Sequence, residues 1–145
     1  MNDVLYYLAR FALIVLGYCC AVIGAGFFLN ALILAALGVL PNDPDQGFLP
    51  GLLVSSPFMG ILIGYFAFFP SLIAIAWGEL TAKRDWLFYA IAGLIIAVVL
   101  AAYGFNAGIP EARDPVMVAS AAGAGVVAGF IYWLIAGRSA GRYRA

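Results

Sequence analysis

The chain has no histidine among its 145 residues. This absence excludes bis-histidine haem ligation, histidine-based zinc sites and a Ser-His-Asp triad. Charged residues are also scarce, at 10% of the chain, and the formal net charge is zero. No basic stripe is present that could neutralise phosphates, so nucleic acid is not an expected partner. The sequence therefore predicts no catalytic residue, no metal site and no cofactor, and we expect the protein not to be an enzyme.

Cysteine is nearly absent, since Cys19 and Cys20 are the only two in the chain. Adjacent side chains on a helix diverge by about 100°, so these two do not have the separation usual for a redox pair or a pair of metal ligands. We interpret them as soft apolar residues that fill space between helices.

Apolar residues make up the rest of the pattern, at 66% of the chain, and they form four long runs. A helix needs roughly 20 apolar residues to cross a hydrocarbon core of about 30 Å. We therefore predict an all-α, multi-pass membrane protein, a single helical bundle spanning residues 1–145. Its predicted transmembrane helices cover residues 4–37, 57–80, 86–105 and 114–135. Outward loops are expected at 41–50 and 106–113, with a tail at 136–145.

Basic residues mark one side of this topology. Six of the seven lie on the side of the chain termini and the middle turn: Arg10, Lys83, Arg84, Arg138, Arg142 and Arg144. The outward loop at 41–50 is acidic, and the second loop is net acidic when Asp114, which follows it, is counted. The positive-inside rule then places both termini in the cytoplasm. Trp77, Trp86 and Trp133 flank the basic segments, where interfacial anchors are expected.

Two predicted segments exceed a simple span. The first apolar run is long enough that a single helix must tilt, bend or protrude from the membrane. In the second run, Pro57 is expected to open the spanning helix, which leaves residues 48–56 as an interfacial or re-entrant piece. Pro70 is expected to kink the same helix, because it lacks a backbone donor.

Small residues recur at every fourth position in the predicted helices, a spacing that lets two backbones approach closely. The predicted packing residues are Ser56, Gly60, Gly64, Gly93, Ala97, Ala121, Gly125 and Gly129. Such faces serve either packing within the bundle or contact between subunits. The fourth helix has the most small residues, which makes it the candidate for a central or subunit-contacting helix.

Few polar residues in or beside the predicted spans are candidates for function. Asn30 is the only carboxamide well inside a predicted span. It either bonds to a neighbouring helix or marks a polar pathway. Glu79, Lys83 and Arg84 form a predicted charge cluster at the cytoplasmic face. There, Glu79 is expected to pair with Lys83, with proton handling as the alternative.

The C-terminal half contains the segments FPSLIAIAWGEL and WLFYAIAG and ends its last helix in YWLIAGR. In these segments the chain resembles a group of small, uncharacterised inner-membrane proteins of alphaproteobacteria. The resemblance implies a bacterial inner membrane and no active site.

Two functions fit the sequence. The first is a non-catalytic accessory or structural subunit that associates with itself or with a larger membrane complex through its small-residue helix faces. The second is a small homo-oligomeric transporter or channel for a neutral or weakly polar solute. Proton-coupled cation export is disfavoured, because the first helix has no acidic residue within its apolar run.

Overall fold

A computed structural model describes residues 2–36, 38 and 48–141 of the chain. Within these residues the protein is helical and contains no strand. Its four long helices are α1 (Asn2–Ala36), α2 (Phe48–Leu80), α3 (Trp86–Asn106) and α4 (Pro115–Ile135), with short 3₁₀ helices at Pro110–Arg113 and Gly137–Ser139. Each long helix is long and apolar enough to cross a membrane. The predicted all-α, multi-pass class is confirmed.

The start of α2 differs from the prediction. The helix begins at Phe48 and continues through Pro57 and Pro70, so residues 48–56 are not a separate interfacial piece. Contact with α1 explains the difference, because Ser56 is fully buried in this part of α2. Tertiary packing here overrides the helix-breaking tendency of proline. Loop residues 41–47 lie outside the described part of the chain, and a kink at Pro70 stays a prediction.

The turn between α2 and α3 explains how two long helices reverse direction within five residues. After Leu80, Ala82 adopts a left-handed conformation, with φ of 49°. The Lys83 amide then donates to the Gly78 carbonyl at 3.0 Å, and the Ala82 amide donates to the Glu79 carbonyl at 3.3 Å. This pattern is a Schellman motif, which satisfies carbonyls at the end of a helix.

The helices are arranged in the spatial order α2, α1, α4, α3. α1 and α4 pack on each other at the centre, α2 packs on α1, and α3 packs on α4. α2 and α3, which lie at the two ends of this order, make few contacts with each other. An apolar opening, called here the α2–α3 slot, therefore separates these two helices.

Candidate functional site

The contact between α3 and α4 depends on glycine. A Cβ atom built on Gly93 would lie 2.0 Å from the Gly125 carbonyl oxygen, and one built on Gly129 would lie 2.0 Å from the Tyr89 carbonyl oxygen. The Ala97 side chain lies beside the same contact, 2.8 Å from a Cβ built on Gly125. The two backbones therefore touch directly, as small-residue spacing permits.

A similar contact joins α1 to α2. A Cβ atom built on Gly26 would lie 2.6 Å from both the Gly60 nitrogen and the Ser56 carbonyl oxygen. Gly64 is less constrained, because the nearest atom to its built Cβ is a Val22 methyl at 3.5 Å. Small residues on both helices thus lie against each other within the chain.

Ala121 lines the α2–α3 slot. Gly93, Ala97, Gly125 and Gly129 of the α3–α4 contact line it as well. The fourth helix, to which it belongs, is central in the order of helices, between α1 and α3.

Asn30 lies in the contact between α1 and α2. Its side chain is 7% exposed, and its amide nitrogen donates to the hydroxyl groups of Ser55 and of Ser56, the latter at 3.1 Å. The residues that line the slot do not include Asn30. This geometry is typical of a polar group that joins two helices.

A polar cluster lies at one end of the bundle, called here the basic end. Arg10 of α1 forms an ion pair with Glu79 of α2, and the two side chains are 10% and 14% exposed. Arg10 also donates to the Ser139 hydroxyl at 2.6 Å and to the Ala136 carbonyl at 3.0 Å. The Gly141 amide donates to Glu79 at 3.2 Å. The cluster thus ties two helices to the segment that follows α4.

The pairing of Glu79 differs from the sequence expectation. α2 ends at Leu80, so Lys83 lies beyond the helix, and its side chain is exposed. The described residues show the ion pair of Glu79 with Arg10 and none with Lys83. Arg84 bonds elsewhere, donating from Nε to the Ala140 carbonyl at 3.1 Å. The only sequence signal for Arg10 was its position as a base beside an apolar run.

Two tyrosines lie close to this cluster, with ring centroids 5.4 Å apart. The Tyr89 hydroxyl donates to the Lys83 carbonyl at 3.1 Å. The Tyr132 hydroxyl is buried and, among the described residues, has no hydrogen-bond partner. Arg10 Nε is also buried and has no hydrogen-bond partner among the described residues. A buried polar group without a partner costs about 1 to 3 kcal/mol of stability.

The Tyr89 hydroxyl has a hydrogen-bond partner and the Tyr132 hydroxyl has none among the described residues. Removing each hydroxyl should therefore change the stability in opposite directions. Tyr132→Phe is expected to raise the free energy of unfolding by about 1 kcal/mol, since it removes an unpaired buried hydroxyl. Tyr89→Phe should lower it by about 1 kcal/mol, because the Lys83 carbonyl loses its donor. Equilibrium unfolding in mixed micelles measures both. Destabilisation by Tyr132→Phe that equals or exceeds that of Tyr89→Phe would mean that the Tyr132 hydroxyl is bonded in the native protein.

The α2–α3 slot is the second candidate site. Its cavity volume is about 360 Å³, and all four helices contribute to its wall. The lining is mostly alanine, glycine, leucine and isoleucine, with Ser71 and four tyrosines as its polar members. This mostly apolar lining suits an apolar ligand.

The described residues hold no group of three or more Cys, Asp or Glu side chains placed to share a metal ion. Cys19 and Cys20 are both free thiols. Against known proteins, no family model, no curated protein and no solved structure matches this chain.

Proposed function

We propose that this chain is a non-catalytic membrane subunit with an accessory or structural role, located in a bacterial inner membrane with both termini in the cytoplasm. The observation that supports this function is that polar side chains within the bundle bond to other parts of the same chain. Asn30 bonds to serines of the next helix, and Arg10 and Glu79 tie helices to the C-terminal segment. These groups hold the bundle together instead of facing a substrate.

Association with itself or with a larger complex then requires surfaces other than the small-residue faces. Gly93, Gly125 and Gly129 already contact backbone within the chain. A partner could reach them only if α3 and α4 separated. Outward faces remain for a partner, such as that of α2, where Phe58, Tyr65 and Phe69 are 72%, 76% and 75% exposed. Aromatic residues are enriched where proteins associate.

The alternative function is a homo-oligomeric transporter or channel for a neutral solute. Such a protein needs a polar path through the membrane, and Asn30 is its candidate residue. The position of Asn30 between two helices, bonded to Ser56, favours the structural role over this path.

Asn30→Leu separates the two functions. The accessory role predicts a loss of about 1 kcal/mol of stability, or altered assembly, since the amide that joins α1 to α2 is removed. The matched control is Asn106→Leu, because Asn106 is exposed and, within the described part of the chain, donates to the Ala102 carbonyl of its own helix at 3.0 Å. Unfolding in mixed micelles measures stability, and the mass of the gently solubilised native assembly measures association.

The outcomes of this test differ clearly. A foreign subunit present at fixed stoichiometry would support the accessory role and identify its partner. A defined homo-oligomer whose Asn30→Leu form keeps its mass and stability, but loses solute flux in vesicles, would establish the transporter instead. A monomer in native membranes would contradict both functions.

A further inference from the structure

The α2–α3 slot is long and narrow. Along α3 its lining extends from Tyr89 to Gly104. Fifteen steps at about 1.5 Å each give a length of about 22 Å. A cavity volume of about 360 Å³ spread over that length describes a narrow passage. The slot is also longer than one leaflet of the hydrocarbon core, which is about 15 Å thick.

The narrow shape of the slot favours one of two kinds of occupant. A transmembrane helix with its side chains is about 10 to 12 Å across and needs about 80 Å² or more. A single hydrocarbon chain, at van der Waals contact distances of about 4 Å, is about 4 to 5 Å across and needs about 16 Å². The narrow slot therefore suits an extended hydrocarbon chain better than a helix.

The end of the slot that lies at the basic end of the bundle bears on the charge of a ligand with a hydrocarbon chain. Tyr89 forms that end of the slot, and its hydroxyl bonds to the Lys83 carbonyl, which places the slot directly below the α2–α3 turn. Trp77 and Trp86, both exposed, flank this turn as interfacial residues do.

Charge at the two ends of the bundle is unequal. The described side chains of the basic end carry four positive and two negative charges, a net charge of +2: Arg10, Lys83, Arg84 and Arg138 against Glu79 and Asp85. The described residues of the opposite end carry a net charge of −1, from Glu111, Arg113 and Asp114. Since Arg10 and Glu79 neutralise each other, the excess positive charge belongs to exposed residues. Lys83, Arg84 and Asp85 at the turn contribute +1, and Arg138 after α4 contributes the rest.

We propose that the α2–α3 slot binds one acyl chain of an anionic phospholipid, whose phosphate lies at the turn beside Lys83 and Arg84. The apolar wall accepts the chain, and the basic turn selects an anionic head over a neutral one. This site is independent of the accessory role, because a bound lipid requires neither a partner subunit nor a polar pathway.

Native mass spectrometry of delipidated protein, titrated with phosphatidylglycerol or phosphatidylcholine of identical chains, tests the site. We expect one phosphatidylglycerol to be retained per chain, bound at least tenfold more tightly than phosphatidylcholine. Ala101→Phe fills the slot and should lower the binding affinity for both lipids at least tenfold. The control is Ala102→Phe, one residue further along the same helix, where the side chain is exposed and does not line the slot.

A second pair of variants tests the head group. Lys83→Gln should lower the affinity for phosphatidylglycerol about fivefold and leave the affinity for phosphatidylcholine unchanged. A fivefold change is what the loss of about one charge at the membrane surface would cause. Arg113→Gln, at the opposite end, should change neither. Equal retention of the two lipids by the unmodified protein would overturn the proposed preference for an anionic head group. Unchanged binding by Ala101→Phe and by a smaller variant, Ala92→Leu, would overturn the slot as the binding site.

Discussion

Arg10→Met is expected to destabilise the protein by about 3 to 5 kcal/mol, because it removes the cation that pairs with the buried Glu79 carboxylate. Both side chains of the Arg10–Glu79 pair are less than 15% exposed, so water does little to screen the loss. The same substitution removes the bonds from Arg10 to Ser139 and to the Ala136 carbonyl. Equilibrium unfolding in mixed micelles gives the change in free energy. Faster tryptic cleavage after Arg138 would report release of the C-terminal segment.

The double variant Arg10→Met with Glu79→Leu is expected to recover most of that stability. An ion pair that is replaced as a whole by apolar side chains is often neutral or even stabilising, whereas removal of one partner is not. Lys83→Met is the matched control, because Lys83 is a base of the same region that is exposed and outside the pair. If Arg10→Met were as harmless as Lys83→Met, the ion pair would be solvated and would not hold the helices.

Helix number and class were predictable from the sequence, because the length of an apolar run fixes whether it can cross a membrane. The start of α2 was not, since Pro57 alone predicts a break. The buried contact of Ser56 and Gly60 with α1, which keeps the helix intact, involves residues about 30 positions earlier in the chain. Local patterns carry no information about such a contact.

The candidate sites also combine features that the sequence predicts with features that depend on contacts between distant residues. Spacing indicated that Gly93, Gly125 and Gly129 belong to close helix contacts, but it did not indicate which helices pair. The ion pair of Arg10 with Glu79 joins residues 69 positions apart, so the nearer Lys83 was the natural expectation. The α2–α3 slot follows from the order of the helices in space, which the spacing of small residues leaves undetermined.

Gly129→Ala should be among the most damaging changes of a single methyl group, together with Gly93→Ala. The Cβ added at Gly129 would lie 2.0 Å from the Tyr89 carbonyl oxygen, a backbone atom that no side-chain rotation can move away. Carbon and oxygen normally stay about 3.3 Å apart, so α3 would have to shift by about 1.3 Å. Overpacking costs about 1 to 3 kcal/mol where side chains can adjust. Here we expect a loss above about 3 kcal/mol in unfolding experiments, because the backbone must move.

Gly64→Ala is the control that makes the result specific to the α3–α4 contact. Its added methyl would meet only a Val22 side chain at 3.5 Å, an ordinary van der Waals distance. Since glycine within a helix is less stable than alanine by about 0.5 to 1 kcal/mol, this substitution should be neutral or stabilising. A gain at Gly64 with a large loss at Gly129 would show that α3 and α4 meet through their backbones. Equal and small effects at both positions would mean that α3 and α4 are further apart than their backbone contact requires.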